Sequence, residues 1–258
     1  VRDVPFNVPT FGDAGQTFDP FTYLGYLAGQ TREIALCIGS IASPLHHPLH
    51  VAKSATTIDQ LSGGRLVMGV ASGDRYDEYP AMNFDYETRG EQFREAFTYI
   101  RQAHESFPIL ASNHYGQLQG NVDALPKPVA HKIPMLVTGH SRQSLDWIAE
   151  HSDGWMYYPR NLYMQEHNVS QYRDLVLKSE GYDKPFMQSL YIDLHQDADF
   201  VPQPIHLGFR LGVKHLIEFL HHVKSIGVNH VGLNMRFNTR NMEETLEQLA
   251  KEVLPLFH

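Results

Sequence analysis

Residues 48–72, "PLHVAKSATTIDQLSGGRLVMGVAS", decide the fold class. Val51, Ala55, Ile58 and Leu61 recur at helical spacing, so 48–62 reads as an amphipathic helix. Pro48 suits the first helical position, where no amide donor is needed. Gly63 and Gly64 suit the left-handed stop just past the last turn. The next run, 65–72, is short and apolar without polar alternation, which marks a strand covered on both faces. A helix that stops at glycine and returns to a buried strand belongs to a βαβ unit.

The alternation continues on both sides. Upstream, "EIALCIGSIAS" (33–43) is a buried strand. Downstream, 88–106 is an amphipathic helix with Phe93, Ala96, Phe97 and Ile100 on one face. Residues 116–133 are polar and rich in Pro and Gly, a long connection or excursion. A strand follows at 134–139, then a helix at 141–152 opened by Ser141. Strands at 154–159, 185–194 and 228–237 alternate with helices near 163–180 and at 212–227. A last helix, 241–257, is capped by Asn241. These strands imply a parallel sheet with helices on its faces. The expectation is α/β, a (β/α)8 TIM barrel in one domain spanning 1–258. A closed barrel needs eight strands, and the missing N-terminal βαβ portion is expected to precede Val1.

Composition narrows the function. The net charge is −8 with histidine neutral, which argues against a nucleic-acid binder, whose phosphate contacts need clustered Lys and Arg. No stretch approaches the roughly 18 apolar residues of a membrane span, so no membrane role is expected. The lone cysteine, Cys37, lies in an apolar run and reads as a buried structural thiol.

Active sites of such barrels sit at the C-terminal ends of the strands. Here those ends fall at 39–47, 71–74, 138–141, 157–160, 193–195 and 234–237. His46, His47 and His195 therefore reach the active face and are candidates for acid–base work, since histidine titrates near neutral pH. A metal is not expected: no His-x-His ends a strand, and no carboxylate neighbours His46 in sequence. "VTGHSRQS" (137–144) runs from a strand through glycine toward a helix start, a pattern that either binds phosphate or is a capped turn. "SGGR" (62–65) precedes its strand and lies at the opposite end, so it is a helix stop. Arg210 and Arg236 either contact an anion or form surface ion pairs.

At "HHPLHVAKSATTIDQLSGGRLVMGVASGD" (46–74) the chain resembles the bacterial luciferase-like flavin monooxygenases. "VTGHSRQSLDWIAEHSDGWMYYPR" (137–160), "PIHLGFRLG" (204–212) and "GVNHVGLNMRFN" (227–238) look like later units of that family. The resemblance implies a barrel holding FMN or, in one branch, F420 at its C-terminal face. It implies that Gly39 and Ser40 form a bulge under the flavin ring, often with a non-proline cis peptide. Ser72 and Gly73 match a loop near the flavin, and Thr138, Gly139, His140, Ser141 and Gln143 match the phosphate loop. Arg210 is a further candidate for the cofactor's anion. The resemblance departs at Ala71 and Ser72, where bacterial luciferase has a reactive Cys and a phosphate-binding Arg, so it does not extend to light emission. It further implies a cytoplasmic homodimeric enzyme with a small-molecule substrate and a partner flavin reductase. Three alternatives stand beside it: F420-dependent hydride transfer, a flavin-binding relative without turnover, and a metal-dependent barrel hydrolase. Residues 3–20 are expected to form a rim or lid over the substrate.

Overall fold

Asp19 accepts a hydrogen bond from the Thr22 amide (2.7 Å), and Pro20 takes the first helical position, so the chain enters helix α1 (Pro20–Gln30). The computed structural model describes residues 1–11, 13 and 15–257, and for residue 180 the backbone alone. It divides into two units, Val1–Asp153 and Gly154–His258.

In the first unit, β1 (Leu36–Ala42) leads into α2 (Pro48–Ser62) and β2 (Leu66–Ala71). A short helix α3 (Glu78–Ala81) and then α4 (Arg89–Ala103) follow. Next come a hairpin, β3 (Ile109–Ser112) and β4 (Gly116–Gln119), then β5 (Met135–Thr138) and α5 (Leu145–His151). β1, β2 and β5 pair in parallel in that order. Ile38, Ile41, Met68, Val70, Met135 and Val137 are all buried, because strands covered on both faces have no solvent side. The register of β1 against β2 shifts between Ile38 and Ile41, a bulge that contains the cis Gly39–Ser40 peptide.

In the second unit, β6 (Gly154–Tyr157), α6 (Leu162–Glu180) and β7 (Phe186–Leu194) are followed by a hairpin, β8 (Gln203–Ile205) and β9 (Gly208–Leu211). Then come α7 (Val213–Ser225), β10 (His230–Asn234) and α8 (Met242–Gln248). β7 pairs in parallel with β6 at its start, β10 along its middle and β9 at its end. Trp155, Tyr172 and Phe186 form a buried aromatic cluster. Among the described residues, no helix is long and apolar enough to cross a membrane.

All six expected strands are present, and α2 has the expected bounds. Gly63 stops it at φ +70°, in the left-handed region glycine tolerates. Three readings need correction. The helix expected from 141 begins at Leu145 with Ser144 as its cap, because Ser141 and Arg142 take φ of +47° and +61° and cannot be helical. The expected helix 241–257 keeps the Asn241 cap but widens after Gln248 into a π turn and then tightens into a 3-10 turn, with Pro255 barring regular helix. The 116–133 excursion contains β4, which pairs antiparallel with β3.

Candidate active site

The "DQLSGGR" block serves the fold. Asp59 is buried, and its carboxylate accepts from the Val129 amide (2.8 Å). Arg65 Nε donates to Ser62 O (2.8 Å), and its Nη atoms donate to Ala28 O, to Thr31 O and Oγ1, and to Ile34 O at 2.7–3.2 Å. One guanidinium thus ties the end of α1, the approach to β1 and the end of α2 together.

At the opposite ends of β1, β2 and β5 the first-unit candidates converge. Gly39 N donates to Val1 O (2.7 Å), and Asp3 N reaches Ser40 O (3.4 Å), so the N-terminal segment runs along the bulge. A Cβ built on Gly39 would meet no heavy atom within 4 Å, so there is open space over the cis step. The Asp3 carboxylate, nearly fully buried, accepts from the Ala42 amide (3.0 Å) and from His46 Nε2 (2.7 Å). Because a carboxylate accepts, Nε2 carries the proton and Nδ1 is left as the ring's basic atom. The sequence hides this pair, since Asp3 lies 43 residues from His46.

His47 is differently placed. Its Nδ1 accepts from the Leu49 amide (3.2 Å), and its ring packs edge-on to Tyr99 and Tyr115. Burial, with the neighbouring His50, pushes its pKa down. It therefore serves as the neutral cap of α2.

The loop after β2 is packed onto the same strand ends. Tyr79 OH donates to Ser72 O, and Gly73, at φ +74°, lets that hydroxyl pass close to the backbone. Ser72 N donates to Ser141 Oγ (3.2 Å), which donates to Thr138 O (2.9 Å). Gln143 is buried: its Oε1 accepts from Arg94 Nε (3.0 Å) and Nη2 (2.7 Å), and its Nε2 donates to Gly90 O (2.8 Å) and Ser141 O (3.1 Å). Ser72, Ser141 and Gln143 thus stiffen the loop. Gly139 (φ +59°) faces open space, with no heavy atom within 4 Å of a built Cβ, and His140 beside it is exposed. An open bulge glycine and an open, arginine-flanked glycine turn fit a flat ring carrying a phosphate.

Part of the expected rim is ordered by charge. Arg75 is buried and makes two bonds to the Asp13 carboxylate (2.5 and 2.6 Å) while lying 4.6 Å from the Phe11 ring centroid. The hydrogen bond from Arg75 holds the Asp13 pKa down at about 2. Burial pushes the neighbouring Glu78 carboxyl up, against the pull of Arg75. Residues 12 and 14 of the expected lid lie outside the described residues.

In the second unit, His195 stacks on Phe200 (3.9 Å), and its Nδ1 accepts from the Asp197 amide (3.1 Å). Arg210 lies in β9 opposite Asp193, with Nε 3.4 Å from its carboxylate, and 5.6 Å from the Phe200 ring centroid. Asp193 also accepts from Thr239 N (2.9 Å) and Oγ1 (3.0 Å), which anchors the loop after β10.

One further cluster is invisible in the sequence. Glu91, Glu95 and His114 bring donor atoms within 4.8 Å of one another. Glu95 already accepts from Ser112 Oγ, from the His114 amide (3.1 Å) and from Asn113 Nδ2 (3.2 Å), so it latches the β3–β4 turn to α4.

The profile of the luciferase-like monooxygenase family matches residues 6–186. The chain belongs to that family. An uncharacterized protein of Mycobacterium tuberculosis is 32% identical over 167 residues, 61% of this chain and 58% of that protein. The pyrimidine monooxygenase RutA of Bradyrhizobium is 31% identical over 152 residues, 55% of this chain and 41% of that protein. The chain thus matches about half the length of these relatives. Among solved structures, an F420-dependent secondary alcohol dehydrogenase superposes with a TM-score of 0.79 at 16% identity, covering 95% of this chain and 86% of that one. The monooxygenase RslO1 from Streptomyces bottropensis gives 0.77 at 17%, covering 100% and 87%. These likenesses show the fold to be of the luciferase-like TIM-barrel type. Members of the family use a flavin or F420.

Proposed function

We propose that the chain is a flavin-dependent oxidoreductase of the two-component monooxygenase type, acting with reduced FMN and dioxygen on a small organic substrate. The observation that carries this is the open space over the Gly39 bulge, with the Asp3–His46 pair built on the same strand end. The family profile supports it, as do relatives named as monooxygenases.

Bound reduced FMN would supply the electrons that activate dioxygen. The chain's own residues do the rest. Gly39 offers bare backbone to a flat ring, where a side chain would occupy the space, and Ser40 continues the bulge beside it. Thr138, Gly139, His140 and Ser141 hold the phosphate end, with Gln143 and Ser72 fixing that loop from behind. His46 Nδ1 takes or returns a proton at the substrate, and Asp3 keeps the ring in the Nε2–H tautomer. His46 takes this role in preference to His47, whose Nδ1 is committed to a helix cap, and His195, whose Nδ1 is committed to a turn. Arg210, held by Asp193, is a second candidate for anion contact. The segment clamped by Arg75 excludes water from the face it covers. A reductase partner, a homodimer and a cytoplasmic setting complete the proposal.

The test is oxygen uptake with FMN, a flavin reductase and NAD(P)H across a panel of small substrates. Substrate-dependent uptake that His46→Gln abolishes is expected. Absence of any flavin binding ends the reading.

A further inference from the structure

We propose that Arg75 is a two-position latch on the segment between Asp3 and Asp19. It holds that segment closed through Asp13 and passes to Glu78 when the segment lifts. Glu78 is thus a positioning residue that eases opening of the strand-end face to a small molecule. The latch works the same way whichever cofactor that face holds.

The segment is anchored at both ends and tied once in its middle. At one end Asp3, nearly fully buried, is bonded to the Ala42 amide and to His46. At the other, Asp19 caps α1. Between them, the described residues of 4–17 bond mostly to one another. Thr17 Oγ1 donates to Val4 O (3.2 Å), Phe11 N to Val8 O (3.0 Å), Val8 N to Asp13 Oδ2 (3.0 Å) and Asp13 N to Val8 O (3.4 Å). A surface loop closed on itself in this way can move as a unit. The exception is the Asp13 carboxylate, which takes both of its remaining hydrogen bonds from Arg75, with the Phe11 ring beside the guanidinium. Among these described residues only Val8 is buried, so little apolar burial holds the segment down.

Lifting the segment strands Arg75 unless another carboxylate takes it. Arg75 is 6% exposed, and a buried guanidinium without a counter-charge is costly. Glu78 stands one turn along, at the start of α3. It is 2% exposed, and its Oε1 lies 3.5 Å from Arg75 Nη1 without a hydrogen-bond partner among the described residues. A buried acceptor left unpaired is destabilising for as long as the segment is closed. Once Asp13 withdraws, a small shift of the guanidinium bonds Glu78 and satisfies that oxygen. Withdrawal also removes one of the two like charges, Asp3 and Asp13, that bear on Glu78. The closed state therefore carries a cost that the open state relieves, and the guanidinium has a carboxylate in both.

Hydrogen–deuterium exchange of the intact chain, read by mass spectrometry over residues 4–11, measures how often the segment opens. Asp13→Asn, Glu78→Gln and Glu78→Asp are compared with wild type, with circular dichroism as the folding check. Asp13→Asn should exchange about tenfold faster, because the closed state loses its charged tie. Glu78→Gln should exchange about threefold or more slower than wild type, because the open state loses its counter-charge. Glu78→Asp keeps the charge on a shorter side chain and should slow exchange less, and it decides the matter if Glu78→Gln does not fold. A glutamate that only packs against Arg75 gives the opposite sign, since loosening those contacts speeds exchange. Slower exchange in the Glu78 variants supports the latch, and unchanged or faster exchange overturns it. Unchanged exchange in Asp13→Asn overturns it as well, since Asp13 then does not hold the segment.

Discussion

Asp3 and His46 meet across 43 residues, and their 2.7 Å contact fixes which ring nitrogen is basic. Asp3→Asn cannot hold the tautomer in the same way, since an amide can accept or donate. A fall in turnover of about 10- to 100-fold is expected for Asp3→Asn, and about 10²- to 10⁴-fold for His46→Gln, with flavin affinity little changed in both. Steady-state kinetics beside flavin titration checks this, and equal losses in binding and turnover would count against a proton role. A second histidine tests the core. His104 is buried with neither ring nitrogen hydrogen-bonded among the described residues, and burial, helped by the charges of Arg101 and Lys127, pulls its pKa down to about 4. The unfolded chain therefore binds a proton between about pH 6.5 and 4 that the folded chain refuses, so this group lowers stability as pH falls through that window. His104→Leu should flatten the pH dependence of Tm there without lowering Tm at pH 7 by more than a few degrees. A steeper loss would show that the ring is paired in solution. Asp13 acts lower: its stabilisation holds above the ordinary carboxylate pKa and fades as pH falls toward about 2.

At the level of elements, the loops carry more than their sequence discloses. α2 and β2 were legible because periodicity, Pro48 and Gly63 act locally. Helix Pro20–Gln30 is announced in the sequence only by Asp19 and Pro20, and the turn-rich stretch before it masks that start. The start of α5 was misplaced because Ser141 and Ser144 are equally good caps in sequence, and only the left-handed turn at 141–142 separates them. The Asp3–His46 and Arg75–Asp13 contacts are illegible in the sequence, being products of packing between segments 43 and 62 residues apart. Two substitutions test the loop packing. Gly90→Ala would drive a Cβ into Arg142 Cβ, so about 1–3 kcal/mol of destabilisation and weaker FMN binding are expected together. Urea unfolding and flavin titration of that variant read both. Arg65→Ala removes bonds to α1, α2 and the approach to β1, and a loss of about 2–4 kcal/mol is expected with Arg65→Lys intermediate. An unchanged midpoint would mean the fan of bonds is not formed in solution.

For the whole molecule, the order of strands and helices made the α/β class readable, and the "DQLSGGR" and "TGHSRQS" blocks made the family readable. That the first of these turned out to be a structural tie and the second a stiffened loop explains why they are recognisable without naming a substrate. Pocket chemistry depends on side chains brought in by the 1–20 and 72–88 segments, and their positions follow from packing. On the proposed reading, the strand ends of the first unit hold a flavin. Side-by-side titration of the intact chain with reduced FMN under anaerobic conditions and with F420 tests it most directly. Saturable one-to-one binding of FMN, tighter than F420, is predicted. Binding of F420 alone, or of neither cofactor, would contradict it.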